Sequence, residues 1–313
     1  MENRTEVEEF ILLGLTNDRK LQHILFTPFL LLYMACLLGN GTILTIVIAE
    51  PRLQTPMYFF LGNLSCLDIC YSTVIVPKML SGFLTEQKVI SFMGCMTQLH
   101  FFYFLGSSEA MLLSVMAYDR YVAICNPLRY TIIMSKWACI RLAGAAWGAS
   151  FLYALIQAVM TSQLWFCGPN HIQHFVCDIK PLLKLACSST ALNLIVLNVV
   201  VGCTCLASFL GTFLSYFYII SFLFDKFKTW QSRWKAFSTC VSHLTVVTLY
   251  LIPPITNYVL PSSGDSSRRE MIITVLYTVV TPVLNPLIYT LRNEDVKSSV
   301  RRLLSKKLLP GRT

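Results

Sequence analysis

The chain has 313 residues, of which 55% are hydrophobic and only 13% are charged, and its formal net charge is +9. This composition excludes an ordinary soluble domain and favours a membrane protein. The positive charge does not indicate nucleic-acid binding, because the basic residues cluster in the loops on one side of the apolar segments.

Seven stretches with few or no charges recur along the chain, and each approaches or exceeds the roughly 20 residues that cross a bilayer as a helix. They span residues 24–49, 57–77, 89–118, 142–166, 192–224, 236–260 and 271–291. An alternating barrel pattern is absent, so helices are the predicted spanning structure. The sequence therefore predicts an all-α membrane protein, a single domain over 1–313 with a seven-helix bundle over 24–291.

Charge in the loops predicts the orientation of this bundle. The loops after helices 1, 3 and 5 and the tail after helix 7 hold 16 of the 25 basic residues and five acids, whereas the opposite side holds nine of each. Positive loops face the cytoplasm. We therefore expect residues 1–23 to be extracellular, with Asn3 in the sequon Asn3-Arg4-Thr5 as a glycosylation site. We expect residues 292–313 to be a cytoplasmic tail that forms a short amphipathic helix on the anionic inner leaflet of the plasma membrane.

Four cysteines lie on the predicted extracellular side, where thiols are oxidised: Cys95, Cys167, Cys177 and Cys187. They allow three pairings, and a bridge from Cys95 to the loop after helix 4 would constrain the unfolded chain by about 4 to 5 kcal/mol. Cys167, His171, His174 and Cys177 also have spacings that a tetrahedral zinc site tolerates. The oxidising compartment and the lack of a C-x-x-C pair favour disulfides.

Acidic residues within the predicted spans indicate function, because a buried charge is costly in lipid. Asp68 lies in helix 2 and Glu109 in helix 3. Glu109 precedes Arg120 by eleven residues, so the two share one helix face about 16 Å apart. Asp119 and Arg120, followed by Tyr121, end helix 3, where they are either a topology anchor or a switch.

The outer half of helix 3 limits the chemistry of a ligand. Residues 101–104 contain no acid that could bind a cation. An uncharged, largely apolar small molecule is therefore favoured. Tyr103 and Ser107 stand at i and i+4 with Gly106 between them, which gives one helix face two hydroxyl groups and a gap.

Five motifs in order carry a resemblance to a known family. They are LQTPMYFFL at 53–61, MAYDRYVAIC at 116–125, SY at 215–216, KAFSTC at 235–240 with SHL at 242–244, and PVLNPLIYTLRN at 282–293. On these motifs the chain resembles the olfactory (odorant) receptors of the tetrapod type, within the rhodopsin-like G-protein-coupled receptors. The resemblance implies an odorant receptor that activates a stimulatory heterotrimeric G protein and raises cAMP.

The resemblance also implies residue roles. Asp119 would restrain Arg120 at rest, and Arg120 would meet the G protein once helix 6 swings outward. The implied switch consists of Asp119, Arg120, Tyr121, Tyr216, Asn285, Pro286 and Tyr289. The implied ligand pocket consists of Tyr103, Gly106, Ser107, Val200, Thr204, Tyr250, Asn257 and Thr278.

Two further expectations concern the acids and the cysteines. The resemblance implies a sodium ion at Asp68, with Glu109 as a second carboxylate; two protonated acids in a hydrogen-bond network are the alternative. No other cofactor is expected. The spacing of the four cysteines does not decide between the three possible pairings. We predict the pairs Cys95–Cys177 and Cys167–Cys187.

Pro253-Pro254 in helix 6 departs from the family pattern, and other functions are alternatives to an odorant receptor. Pro253-Pro254 removes two amide donors beside the implied pocket, so helix 6 should kink or unwind there. A non-odorant small-molecule receptor is the first alternative. A transporter lacks visible inverted repeats, and a membrane enzyme lacks a catalytic constellation within the spans.

Overall fold

The computed structural model describes residues 7–86, 88–167, 169–226, 230–259, 266–292, 296–299 and 301. Within these ranges, six helices are long and apolar enough to cross a membrane. Five of them are helix 1 (Arg19–Ala49), helix 2 (Pro56–Leu84), helix 3 (Phe92–Cys125), helix 4 (Lys136–Ser162) and helix 5 (Ala191–Lys226). The sixth lies in helix 7, as Arg268–Tyr289.

Helices 6 and 7 each contain a π-helical turn, which closes i→i+5 hydrogen bonds. Helix 6 runs over Trp230–Pro254 and continues as the π-turn Ile255–Val259. Helix 7 consists of Ser266–Val275, the π-turn Leu276–Val280 and Thr281–Arg292. The predicted all-α bundle of seven helices is confirmed, and the π-turn that follows Pro254 is the unwinding expected of two adjacent prolines.

The helices extend beyond the apolar stretches from which they were predicted. Helix 4 begins at Lys136 rather than 142, because the Ser135 hydroxyl caps it by accepting from the Ala138 amide at 3.4 Å. Helix 3 continues past residue 118 to Cys125. An apolar window detects only the part of a helix that lies in hydrocarbon, whereas a capped helix continues into the polar interface.

Helix 3 lies at the centre of the bundle, in contact with helices 2, 4, 5 and 6. Helix 1 packs against helices 2 and 7. At the last contact, a Cβ atom on Gly39 would come within 3.1 Å of two atoms of the Pro286 ring, so only glycine allows helix 1 to approach the bend in helix 7 this closely.

A three-stranded sheet covers the outer end of the bundle, which the sequence did not predict. Its central strand β1 (Glu9–Leu12) pairs antiparallel with β2 (Val89–Ser91) and parallel with β3 (His171–Ile172). Phe10 is fully buried beneath it. The Lys88 ammonium donates to the Leu13 carbonyl at 2.8 Å, and burial together with the charge of Arg19 lowers the pKa of Lys88.

Two disulfides join this part of the chain: Cys95–Cys177 is buried, with a Cα–Cα distance of 5.5 Å, and Cys167–Cys187 is exposed, with 5.7 Å. These are the pairings chosen above. They contradict the zinc alternative, because Cys167 and Cys177 are bonded to other cysteines. His174 is buried and its Nδ1 accepts from the Val176 amide at 3.2 Å.

Two predictions fall largely on undescribed residues. Asn3 lies outside the described residues, as do 293–295, 300 and 302–313 of the predicted tail helix. The remaining tail residues, 296–299 and 301, are helical, with Val296 buried and Ser298 exposed.

Candidate functional site

A cavity of about 60 Å³ lies between helices 2, 3, 5, 6 and 7 in the outer half of the bundle. Helix 3 contributes Tyr103, Gly106 and Ser107 to its wall, as predicted, and helices 5 and 6 contribute Thr204 and Tyr250. The Tyr250 hydroxyl donates to the Gly106 carbonyl at 2.8 Å, across from helix 6 to helix 3. Five of the eight predicted pocket residues thus surround one space.

The other three predicted residues miss the cavity by one position each. Val200, Asn257 and Thr278 do not line it, whereas their neighbours Val201, Tyr258 and Tyr277 do. Two of the three lie in the π-turns of helices 6 and 7. A π-turn holds one residue more than an α-turn, so it rotates the residues in and after it about the helix axis. Helix 5 is apolar on both sides of this position, and its phase is therefore not readable from its residue types.

Nine lining residues were not among the predicted ones, and four of these nine are aromatic. They are Tyr71, Phe102, Ala110, Cys205, Leu251 and Pro254, beside Val201, Tyr258 and Tyr277. Pro254 lies there because the helix passes into its π-turn at this residue. The family resemblance alone indicated that helices 6 and 7 contribute to a ligand pocket. No residue pattern in the sequence indicated that Tyr71 of helix 2 does so.

A buried carboxylate from the segment between helices 4 and 5 is bonded to two tyrosines of the cavity wall. Asp178, next to the disulfide-bonded Cys177, is 3% exposed. It accepts hydrogen bonds from the Tyr103 hydroxyl at 2.5 Å and the Tyr258 hydroxyl at 2.9 Å. The Tyr258 and Tyr277 hydroxyls lie 3.3 Å apart. Hydrogen bonds therefore join this segment to helices 3, 6 and 7.

Near the C-terminal end of helix 3, Asp119 is held by a residue that the sequence did not single out. Its Oδ1 accepts from the hydroxyl of Tyr130, in the short helix Tyr130–Ile133, at 2.8 Å. Among the described residues Asp119 forms no ion pair with Arg120, so the implied restraint is not a direct salt bridge. Burial and the Asp119 carboxylate raise the pKa of Tyr130, which keeps this hydroxyl protonated as a donor.

Three further switch residues, Tyr121, Tyr216 and Tyr289, are aromatic, whereas Asn285 lies at the acid pair in the middle of the bundle. The Tyr216 hydroxyl is 2.9 Å from Nδ1 of buried His243, which joins helix 5 to helix 6. Tyr121 packs on Tyr218 of helix 5, with ring centroids 5.8 Å apart. The Tyr289 hydroxyl is buried without a hydrogen-bond partner. His243 belongs to the family motif at 242–244, and as a histidine within a span it is expected to be a hydrogen-bonded residue of the bundle; the sequence does not indicate Tyr216 as its partner.

The two intramembrane acids meet at a single amide group. Asp68 and Glu109 are both 0% exposed, and Nδ2 of Asn285 donates to both oxygens of Asp68 at 3.1 Å and to Oε1 of Glu109 at 3.3 Å. Oε2 of Glu109 and Oδ1 of Asn285 are buried without partners. Two carboxylates this close in a low-dielectric site cannot both stay charged without a cation or a proton. The free oxygens fit a small hard cation, which takes oxygen ligands.

Comparisons with known proteins extend over nearly the whole chain. A family model described as olfactory receptor matches residues 29–307. Olfactory receptor 12D1 of Homo sapiens is 55% identical over 310 residues, which cover 99% of this chain and 97% of the relative. Olfactory receptor 12D3 of Homo sapiens is 53% identical, with 98% of each chain covered. Olfactory receptor 5B21 of Mus musculus is 47% identical, over 98% of this chain and 96% of the relative.

The matched range covers helix 1 from residue 29 onward, helices 2 to 7, the cavity, the acid pair and the implied switch residues. Proteins of this family are multi-pass membrane receptors that couple to G proteins, not enzymes. Both the motifs and the full-length identity therefore lead to the same assignment: the chain belongs to the olfactory receptor family.

Proposed function

We propose that this receptor binds a small, uncharged and largely apolar odorant in the cavity between helices 3, 5, 6 and 7. The main support for this proposal is the composition of the cavity wall. None of the 14 described residues that line the cavity is charged, and the polar groups are hydroxyls, chiefly of tyrosines. Asp178, which is bonded to Tyr103 and Tyr258 of the wall, already accepts from two tyrosines, and this reduces its attraction for a cationic ligand.

The size of the cavity supports a ligand-driven change of shape. A cavity of about 60 Å³ is smaller than the roughly 150 Å³ that takes up benzene in a protein core. An odorant must therefore displace lining side chains, and a ligand shifts a two-state equilibrium by its differential affinity for the wider state. The hydroxyl contacts of Tyr103, Tyr250 and Tyr258 are the bonds that such widening would strain.

A screen of uncharged volatiles followed by Ser107→Ala tests the pocket. Ser107 lines the cavity and its hydroxyl makes no hydrogen bond to a described residue. Ser108 is a matched control, because it is fully buried but donates to the Phe104 carbonyl of its own helix at 2.8 Å. We expect Ser107→Ala to change the EC50 of an odorant with a hydrogen-bonding group by about fivefold and Ser108→Ala to leave it unchanged. Equal effects of both substitutions would reject the cavity as the binding site.

We propose that the output is a stimulatory G protein of the olfactory type. The small cluster of Ala117, Tyr216, Ile219 and Leu223, with Tyr121 packed on it, ties helix 3 to helix 5 beside the switch. The basic loops on this side supply the docking surface. An agonist should raise cAMP in cells that contain the olfactory stimulatory G protein. A response only through another class of G protein would contradict this part of the proposal.

The orientation is part of the same proposal. The charge balance of the loops and the two disulfides support an extracellular N-terminus and a cytoplasmic tail at the plasma membrane. An N-terminal epitope tag should be stained on intact cells, and Asn3→Gln should remove a glycosidase-sensitive mass. Staining only after permeabilisation would reverse the topology.

We also propose that Asp68 and Glu109 hold a sodium ion together with the free Oδ1 of Asn285. The ion would neutralise the acid pair and thereby stabilise the resting bundle. Thermal unfolding of the purified receptor, measured in NaCl and in KCl at equal ionic strength, should show a sodium-dependent stabilisation that Asp68→Asn abolishes. A stability that depends on pH but not on sodium would indicate instead two acids that share protons.

A further inference from the structure

Lys180 connects the loop between helices 4 and 5 to the outer end of helix 6. It lies in the short helix Ile179–Leu183, two residues after Asp178. Its ammonium group donates to the Asn257 carbonyl at 2.5 Å and lies 5.7 Å from the centre of the Tyr258 ring. Both target residues belong to the π-turn of helix 6, and only Tyr258 also lines the cavity.

The local backbone explains why a cation is useful at this place. The π-turn that follows Pro253 and Pro254 spans Ile255–Val259, so the Asn257 carbonyl lies in the last described turn of helix 6. Carbonyl groups in the last turn of a helix have no donor within the helix. A lysine side chain can satisfy such a carbonyl, and its positive charge complements the negative end of the helix dipole.

Asn257 is fixed from its other side as well. Its Nδ2 donates to the Thr274 hydroxyl of helix 7 at 3.3 Å, and the residue is only 4% exposed. The π-turn is therefore held between the loop and helix 7. This position of the backbone turns Tyr258, rather than Asn257, towards the cavity. The Tyr258 hydroxyl is bonded to Asp178, and the Lys180 ammonium over its ring is a second contact from the same loop.

We propose that Lys180 is a positioning residue that caps the outer end of helix 6 and holds Tyr258 in the cavity wall. The capping role is independent of the ligand, whereas its effect on potency rests on the function proposed above. Lys184 provides a matched control, because it follows Lys180 by one helical turn, ends the same short helix and is exposed.

Amide hydrogen exchange of residues 255–259 in the purified, ligand-free receptor tests the cap. Lys180→Met keeps an unbranched side chain but removes the charge and the donors, and Lys180→Gln serves if the methionine variant does not fold. We expect about tenfold faster exchange in this segment, unchanged exchange in Lys184→Met and near-normal exchange in Lys180→Arg, which keeps a cationic donor. Equal exchange in Lys180→Met and Lys184→Met would overturn the proposal.

The dose-response curve tests the positioning role. At matched surface expression, Lys180→Met should raise the EC50 of an agonist about tenfold, and Lys180→Arg should restore it to within about threefold of wild type. A residue needed only for folding would lower surface expression and maximal response without a shift in EC50 that arginine rescues. Faster exchange with an unchanged EC50 would overturn the positioning of Tyr258. If no agonist is found, the exchange measurement alone decides the cap.

Discussion

A substitution of Gly106 tests the proposed ligand site most directly, because this residue lines the cavity and any added side chain would occupy the space beside it. A Cβ atom on this residue would lie 3.3 Å from the Tyr71 hydroxyl oxygen and 3.4 Å from that of Tyr250. The Tyr250 hydroxyl also donates to the Gly106 carbonyl. Gly106→Ala therefore crowds two tyrosine hydroxyls, and Gly106→Val places two more methyl groups in or beside the cavity.

The expected magnitudes follow from the cost of overpacking. Extra methyl groups in a filled site cost about 1 to 3 kcal/mol, and about 1.4 kcal/mol is a tenfold change in affinity. The alanine methyl meets mainly terminal hydroxyls beside a free space, so we expect the lower value and about a fivefold rise in EC50. Valine should approach the upper value, about a hundredfold. Helix stability should not fall, because both residues have higher helix propensity than glycine.

The assay is agonist-dependent cAMP at matched surface expression, with Gly144→Ala as the control. Gly144 lies in helix 4, and a Cβ atom there would meet nothing within 4 Å. The control should leave the EC50 unchanged. An EC50 of Gly106→Val within twofold of wild type, at normal surface expression, would refute the assignment of the ligand to this cavity.

Three other predictions address the rest of the molecule. Tyr130→Phe removes the donor to Asp119, so this carboxylate is free to pair with Arg120, which favours the resting state. We expect the maximal cAMP response to fall several-fold while the ligand affinity stays nearly unchanged. A maximal response equal to that of wild type would exclude a role of this hydrogen bond in coupling. Burial lowers the pKa of His174, so its neutral form stabilises the fold above about pH 6.5 and this stability is lost as the pH falls. The thermal midpoint of purified receptor should therefore fall less between pH 7.5 and 5.5 in His174→Gln, although Asp178 partly opposes the effect; equal slopes would show that His174 does not contribute. Cys95→Ala removes a disulfide that joins residues 82 apart in sequence. It should abolish surface expression, since this loop constraint contributes about 4 to 5 kcal/mol to the free energy of unfolding. Surface expression at the wild-type level would contradict a contribution of that size.

The motif positions located most of the chemistry but could not set its angular placement. Tyr103, Gly106 and Ser107 line one cavity together, because helix 3 is a regular α-helix from Phe92 to Cys125 and keeps them on one face. Asn257 and Thr278 were carried over as though helices 6 and 7 were equally regular. The π-turns at these positions put Tyr258 and Tyr277 at the cavity instead.

Contacts between distant segments were the other part that sequence reasoning missed. Tyr130 lies 11 residues from Asp119, Asp178 lies 75 residues from Tyr103, and Lys180 lies 77 residues from Asn257. Each of these residues has an ordinary reading as a loop residue. Its role depends on which part of the chain folds back over it, and residue spacing does not contain that information.

The sequence by itself determined the membrane class, the seven spans, the charge asymmetry and the family, because lipid requires long apolar helices and because the motifs are continuous in the chain. Only the tertiary structure decided which face of each helix meets the cavity, how Asn285 joins Asp68 to Glu109, and how Asp178 bonds two tyrosines of the cavity wall. These features depend on helix rotation, on π-turns and on hydrogen bonds between segments far apart in sequence, and such interactions are fixed only when the bundle packs.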